Sequence, residues 1–256
     1  MEKVSIQFVG AGCGAPDLIT VRGMRILEKA DVIVYAGSLV NPELLTYAGA
    51  NCRIYNSAKM TLDEVLAVMI PAYEEGLRVV RLHTGDPSVY GAIREQMDAL
   101  DEKGIPYEST PGVSACFGAA AALNLEYTLP TISQSLIITR MAGKTDVPEK
   151  ESIESFAAHR ASMAIYLSTS MLDELSERLI SGGYSADTPA ALCYRVSWPD
   201  EEVYVCTVGT LAETAREHGI TKTALTLVGE VIDPVRYEKS RLYADDFSTE
   251  FRKARK

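Results

Sequence analysis

"VGAGCGAPDLIT", Val9 to Thr20, follows directly on the strand-like run VSIQF. A glycine-rich turn behind an N-terminal strand is where many α/β proteins cradle a phosphate, so its spacing decides which fold is being read. A dinucleotide fingerprint needs G-x-G-x-x-G, a helix that starts inside the motif and an acid closing the second strand. Here Gly10, Gly12 and Gly14 give G-x-G-x-G, and Ala15-Pro16-Asp17 follow. The helical pattern begins only after Thr20, a suitable N-cap, so a pyrophosphate would not meet a helix N-terminus. The second strand ends in Tyr35-Ala36-Gly37, where a ribose-binding acid should stand. A nicotinamide dehydrogenase fails on both counts. A tight turn with no ligand is the plain alternative for one glycine loop.

A second loop changes that balance. "RLHTGDPSVYGAI", Arg81 to Ile93, also follows a strand and is expected to open a helix. Pro87 suits the first helical turn, and Asp86 then lies near the helix start, where a carboxylate is favoured. Two strand-end loops of one parallel sheet share an edge, and such edges bind ligands.

Apolar runs of strand length fall at 4–9, 32–36, 79–83, 136–139, 163–167, 190–194, 203–206 and 224–228, with helical periods between many of them. "TLDEVLAVMIPAYEEG" carries a capping box in Thr61 and Glu64 and closes on Gly76, with Pro71 expected to end or kink the helix. "SMLDELSERLISGG" sets Met171, Leu172, Leu175 and Leu179 on one face and stops at Gly182. This alternation predicts an α/β fold with mainly parallel pairing. "ALCYRVSWPDEEVYVCTV" reads instead as an antiparallel hairpin turning at Trp198-Pro199-Asp200. "ESTPGVSACFGAAAA" reads as a junction, with a boundary near Pro111 that gives domains 1–111 and 112–256. The tail after Asp233 is expected to fray.

The 256 residues suffice for one large or two modest domains. A net charge of −10 argues against nucleic acid as partner, yet leaves room for an anionic small molecule held by a local basic patch. The five cysteines form no C-x-x-C and the three histidines lie far apart, so no metal site is predicted. No apolar run approaches the roughly 20 residues that span a bilayer. Met1, Glu2 and Lys3 lead straight into a strand, so a cytoplasmic protein without a signal peptide is expected.

Taken together, VGAGxG-x-P-D-L-I-T-x-x-G, GDPxxYG, PGVSA and the late TALTLVGEV resemble, in order and over nearly the whole chain, the tetrapyrrole methylases that use S-adenosylmethionine. "YAGSLVNPELL", "ITRMAGKTDVPEKE", "YLSTSML" and "YRVSWPDEE" resemble the branch that methylates C-11 of precorrin-4 or its cobalt complex. The wording GDPSVYGAI is more similar to the anaerobic, cobalt-early route. The resemblance implies two αβα domains with the cofactor in the cleft between them, a homodimer, and an anionic tetrapyrrole as substrate.

Carried over by position, it implies cofactor contacts from Cys13, Thr84, Gly85, Asp86, Val89, Ser114, Ala115, Leu167, Val196 and Ala224, mostly through backbone groups. The first loop departs from the family's usual GPGDP, with Cys13 for proline and Ala15 for the acid. A backbone contact at position 13 survives that change and an acidic role at 15 does not. Cys13 reads better as a small buried residue than as a nucleophile. Methyl transfer from a sulfonium to carbon is an in-line displacement that asks for alignment and a dry site, without a metal or triad. Asp86 and Tyr90 are the polar residues placed to act near the reacting ends. Arg22 with Arg25, Lys59, His83, Arg140, Lys144 and Arg195 are the candidates for the substrate carboxylates, arginine suiting them through its bidentate fork. The alternatives are a methylase of the same family acting at another ring carbon, and a nucleotide-binding module without turnover.

Overall fold

The computed structural model describes residues 5–255; the N-terminal reading from Met1 through Val4 lies outside them. The chain packs as two units, one formed by the described residues up to Gly118 together with Arg195–Asp200, the other by Ala119–Tyr194 and the residues from Glu201 onward.

In the first unit β1 (Ile6–Gly10), β2 (Val32–Tyr35), β3 (Arg53–Asn56), β4 (Val79–His83) and β5 (Tyr107–Thr110) form one sheet in the order β3-β2-β4-β1-β5. Every pairing is parallel, with Phe8 opposite both Arg81 and Ser109. Strand alternation sends Ile6, Phe8, Val32, Val34 and Val79 to one face, against α2 (Leu62–Glu74) and α3 (Arg94–Glu102). Val9, Ile33, Val80 and Leu82 fill the other face with Leu27 of α1 (Val21–Glu28) and Leu44. Each large side chain buried in this way contributes about 1.5–3 kcal/mol. The sequence marks β1, β2 and β4 as apolar runs. It does not mark β3 and β5, whose residues are largely exposed at the sheet edges and carry no buried period.

Helix starts follow the capping chemistry. Thr20 accepts from the Gly23 amide at 3.0 Å, and Thr61 and Glu64 close a reciprocal capping box. Pro71 does not end α2, which runs on to Glu74. Its ring is on the exposed face in the last turn, where the carbonyl it leaves without an amide partner can be solvated.

After α4 (Ala115–Leu123), the second unit holds β6 (Leu136–Arg140), α5 (Ile153–Ala157), β7 (Ser162–Tyr166), α6 (Leu172–Gly182), β8 (Pro189–Tyr194), β9 (Glu202–Thr207), α7 (Leu211–Glu217) and β10 (Ala224–Val228). The sheet order is β6-β7-β10-β8-β9. Only β6 and β7 pair parallel; β10 runs antiparallel to both neighbours, and β8–β9 is the expected hairpin. The expectation of mainly parallel pairing therefore fails here: β8 turns directly into β9, and β10 enters between β7 and β8 antiparallel to both. Leu172, Leu175 and Leu179 lock α6 onto Met163, Ile165 and Leu192. The tail past Asp233 is mostly exposed but carries a short 3-10 turn at Arg241–Tyr243 and lets Arg252 reach the carbonyls of Leu242 and Ala244. No described helix is long and apolar enough to cross a membrane.

The ends of β1, β4 and β5 meet backbone to backbone. A Cβ on Gly112 would lie 2.1 Å from the Gly85 carbonyl oxygen, and one on Gly10 would lie 2.6 Å from Gly112 Cα. Gly112→Ala is accordingly expected to cost more than about 3 kcal/mol in urea unfolding. Gly49→Ala, with nothing within 4 Å of the added carbon, should be neutral or stabilise by up to about 1 kcal/mol. Equal effects from the two substitutions would refute the packing account.

Candidate functional site

The loops after β1 and β4 leave their sheet in opposite directions. β1 leads through α1 to β2, while β4 leads through α3 to β5 on the far side of β1. In an open parallel sheet this reversal is where a ligand crevice forms. Here backbone bridges the reversal itself. The Gly85 amide donates to the Gly12 carbonyl at 2.8 Å, and the Gly12 amide donates back to Gly85 at 3.2 Å. The glycines that look like a phosphate cradle are thus used for close approach between loops.

The first loop is held from two further sides. Asn41 donates to the Gly14 carbonyl at 3.0 Å, and the Ala15 amide donates to Ser197 Oγ at 2.9 Å. Cys13 is buried with its Sγ 3.3 Å from that same hydroxyl. Gly14 lies so close under Trp198 that a Cβ would be 2.3 Å from the indole ring. Trp198 in turn carries the Arg195 guanidinium at 4.2 Å from its ring centre, and Arg195 also pairs with Asp200 at 3.1 Å. Val196, in the same turn, is buried; a Cβ on Gly118 would lie 3.2 Å from its Cγ2 and 2.7 Å from Cys13 Sγ.

In the second loop no helix starts at Pro87. Residues 87–90 form a turn and α3 begins only at Arg94, so the expected helix-start setting of Asp86 and Tyr90 is corrected. The reason is local: Tyr90 (φ 55°) and Ala92 (φ 48°) adopt left-handed backbone, which a helix cannot propagate. Asp86 organises the turn. Its Oδ1 accepts from the Ser88 amide and hydroxyl, and its Oδ2 accepts from the Gly112 amide at 2.9 Å. Burial pushes its carboxyl up, but the bonds from the Ser88 hydroxyl and the Gly112 and Ser88 amides outweigh that and hold it below the usual carboxylate value. Asp86 is therefore ionised at neutral pH. Thr84 donates to the Leu39 carbonyl, Val89 is half-buried, and Tyr90 is 44% exposed.

Gly85 faces the junction. A Cβ there would be 3.6 Å from Ser114 Cα and 4.0 Å from the Ala115 nitrogen, so the second loop lies against the first turn of α4. The leading amides of a helix have no intrahelical acceptor. Backbone donors flanked by residues as small as Gly85, Ser114 and Ala115 suit the polar ends of a compact zwitterionic cofactor, and the anionic Asp86 nearby suits a cationic one. The first unit thus brings Cys13, Gly85, Asp86, Ser114, Ala115 and Val196 onto one set of connected loops.

The second unit supplies a smaller set. Leu167 is 64% exposed with φ 54°, and Thr169 of the same loop donates to the Ala224 carbonyl at 2.9 Å, which places those two loops side by side. Arg140 spends three donors on the carbonyls of Met141, Thr145 and Asp146 and so shapes its own loop. Lys144 is exposed on that loop, while Arg22, Arg25 and Lys59 are exposed in the first unit; among the described residues none of the four has an ion-pair partner. A cavity of about 730 Å³ in the second unit, beside Tyr184 and Arg160, contains none of the residues named from sequence.

His83 differs from its reading as a cation. It is 3% exposed, stacked near Phe8, and its Nε2 has no hydrogen-bond partner. Burial, reinforced by the neighbouring Arg81 charge, lowers its pKa to about 3, so it is neutral at physiological pH. The residues that sequence reasoning passes over are Asn41, Gln96, Ser197 and Trp198. The one available signal was Trp198, the single tryptophan of the chain, in a tight turn beside proline.

The unfolded chain takes up a proton at His83 below about pH 6.5, whereas the folded chain does so only near pH 3, so native stability falls as pH drops through that window. Between pH 7 and about 4.5 wild type should lose about 2–3 kcal/mol more than His83→Leu does. Urea midpoints at the two pH values measure this, and equal losses in both proteins would mean that the imidazole is not held neutral.

A family model for Tetrapyrrole (Corrin/Porphyrin) Methylases matches residues 5–212. The cobalt-precorrin-4 C(11)-methyltransferase of Methanocaldococcus jannaschii is 52% identical over 97% of this chain and 96% of its own. The precorrin-4 C(11)-methyltransferase of Pseudomonas aeruginosa is 44% identical over 94% of this chain and 95% of its own. The X-ray structure of a cobalt precorrin-4 methyltransferase superposes with a TM-score of 0.88 at 41% identity, covering 90% of this chain and 96% of that one. Motifs, loop architecture and both kinds of likeness agree: the chain belongs to the tetrapyrrole methylases, with their class III methyltransferase fold.

Proposed function

We propose that this chain transfers a methyl group from S-adenosylmethionine to C-11 of cobalt-precorrin-4, giving cobalt-precorrin-5 in corrin biosynthesis. The observation that carries the reading is the near-full-length likeness to the Methanocaldococcus jannaschii enzyme, joined to a loop set rich in small residues. Metal-free precorrin-4 is the second reading, favoured by the likeness to the Pseudomonas aeruginosa enzyme.

S-adenosylmethionine supplies a methyl group activated on a sulfonium. Cys13, Thr84, Gly85, Asp86, Val89, Ser114, Ala115, Leu167, Val196 and Ala224 hold it, chiefly through main-chain groups. The ionised Asp86 fixes the loop that presents Tyr90, so both act by alignment, and no general base is needed. Arg22, Lys59 and Lys144 are free to meet substrate carboxylates, while Arg140 and Arg195 offer only the donors left over from their internal bonds. His83, being neutral, contributes at most a hydrogen bond. The enzyme works in the cytoplasm as a homodimer, a state that light scattering on the purified protein checks.

The test is mass spectrometry of tetrapyrrole products after anaerobic incubation with S-adenosylmethionine and either cobalt-precorrin-4 or precorrin-4. One added methyl at C-11, faster on the cobalt complex, is the expected result. Preference for the metal-free ring would move the enzyme to the second reading. Cofactor binding without methylation of either ring would sink the substrate assignment. Asp86→Asn should lower kcat/KM by about tenfold or more, because an amide NH₂ then opposes the Gly112 amide.

A further inference from the structure

β4 runs through the middle of the first sheet, and its face toward α2 and α3 carries Val79 with Val34 and Phe8 around it, and the neutral His83 at its end. Arg81 interrupts that face. It is buried, and among the described residues it has no ion-pair partner. Its Nε donates to Gln96 Oε1 at 3.0 Å, and an Nη donates to the Val34 carbonyl at 3.1 Å. Gln96, equally buried on α3, donates its own amide to the Ala92 carbonyl at 3.0 Å. A cation in such a place costs desolvation that well-packed apolar side chains would avoid, so core stability does not explain it.

The far end of the relay does. Ala92 and Tyr90 both hold left-handed backbone, and Gly91 between them is pressed so close to Pro87 that a Cβ would be 2.1 Å from its carbonyl oxygen. Non-glycine residues keep that backbone only where the surroundings over-determine it. Asp86 fixes the front of the loop through Ser88 and Gly112. The rear is fixed at Ala92 by Gln96, whose amide is oriented because Arg81 occupies its oxygen.

We propose that Arg81 and Gln96 are positioning residues: a buried Arg81-to-Gln96-to-Ala92 hydrogen-bond relay that holds the loop of residues 85–92 in the conformation presenting Asp86 and Tyr90 to the cofactor. The role given to the loop rests on the function proposed above; the clamp itself does not.

The decisive variant is the double substitution Arg81→Met with Gln96→Met, which fills the core with apolar side chains of similar size and removes the Gln96 side-chain donor to Ala92. Leu100→Ala, a fully buried position one turn further along α3, is the control for simple loss of stability. In the double variant, amides 86–93 should exchange hydrogen about ten times faster with the urea midpoint unchanged or raised, and KM for S-adenosylmethionine should rise about tenfold with KM for the macrocycle unchanged. Leu100→Ala should lower the midpoint and leave loop exchange and both KM values as in wild type. Wild-type loop exchange in the double variant, or the same loop loosening in Leu100→Ala, would overturn the proposal. If the wild-type protein methylates neither ring, the proposed function falls, and the exchange measurement still decides the clamp.

Discussion

Three glycines in contact govern the first unit. Gly10, Gly85 and Gly112 close the ends of β1, β4 and β5 with no side chain between the backbones, and Asp86 ties the second loop to the third through the Gly112 amide. Any Cβ at Gly10 or Gly112 would part these loops, and with them Cys13, Ser114 and Ala115 would move away from Asp86. The contact also explains why a loop that looks phosphate-binding is not one. The space that a pyrophosphate would take at the sheet's reversal is bridged by the Gly12–Gly85 backbone pair.

Beneath those loops the core trades stability for definition. Arg81 and His83 stand on the same face of β4, both buried, one charged and one held neutral. Two apolar residues there would pack with less desolvation cost. What Arg81 gives instead is a fixed hydrogen-bond direction under a loop with left-handed residues at 90 and 92. A catalytic strategy that relies on alignment needs its loops rigid before ligands arrive, and that rigidity has to come from beneath.

Much of this was legible in the sequence, for identifiable reasons. β4 and β10 were read with the bounds they have, because Val79–His83 and Ala224–Val228 are buried throughout and their Val and Leu residues stand out against polar flanks. Thr20, Thr61 and Glu64 announced their caps through residue type and spacing alone. The edge strands β3 and β5 were invisible because exposure erases the period. The helix expected at Pro87 failed because Tyr90 and Ala92 adopt left-handed backbone, which neither residue type announces. The family's positions for the cofactor came from order and motif; the side chains that brace those loops carry no motif of their own, Asn41 and Ser197 lying far off in sequence and Gln96 in the helix that follows.

The departures at positions 13 and 15 find their explanation in those braces. The chain passes from one unit to the other at Gly118–Ala119, Tyr194–Arg195 and Asp200–Glu201, so the hairpin turn carrying Val196, Ser197 and Trp198 belongs with the first loop despite lying some 180 residues away. What that turn asks of position 13 is a small buried side chain that can sit against Gly118 and reach the Ser197 hydroxyl, and cysteine meets both demands. What it asks of position 15 is only an amide, donated to Ser197, which alanine provides as well as an acid would. Proline could not donate at 15. The loop's constraint is therefore on size at 13 and on backbone at 15, and Cys13 and Ala15 satisfy both.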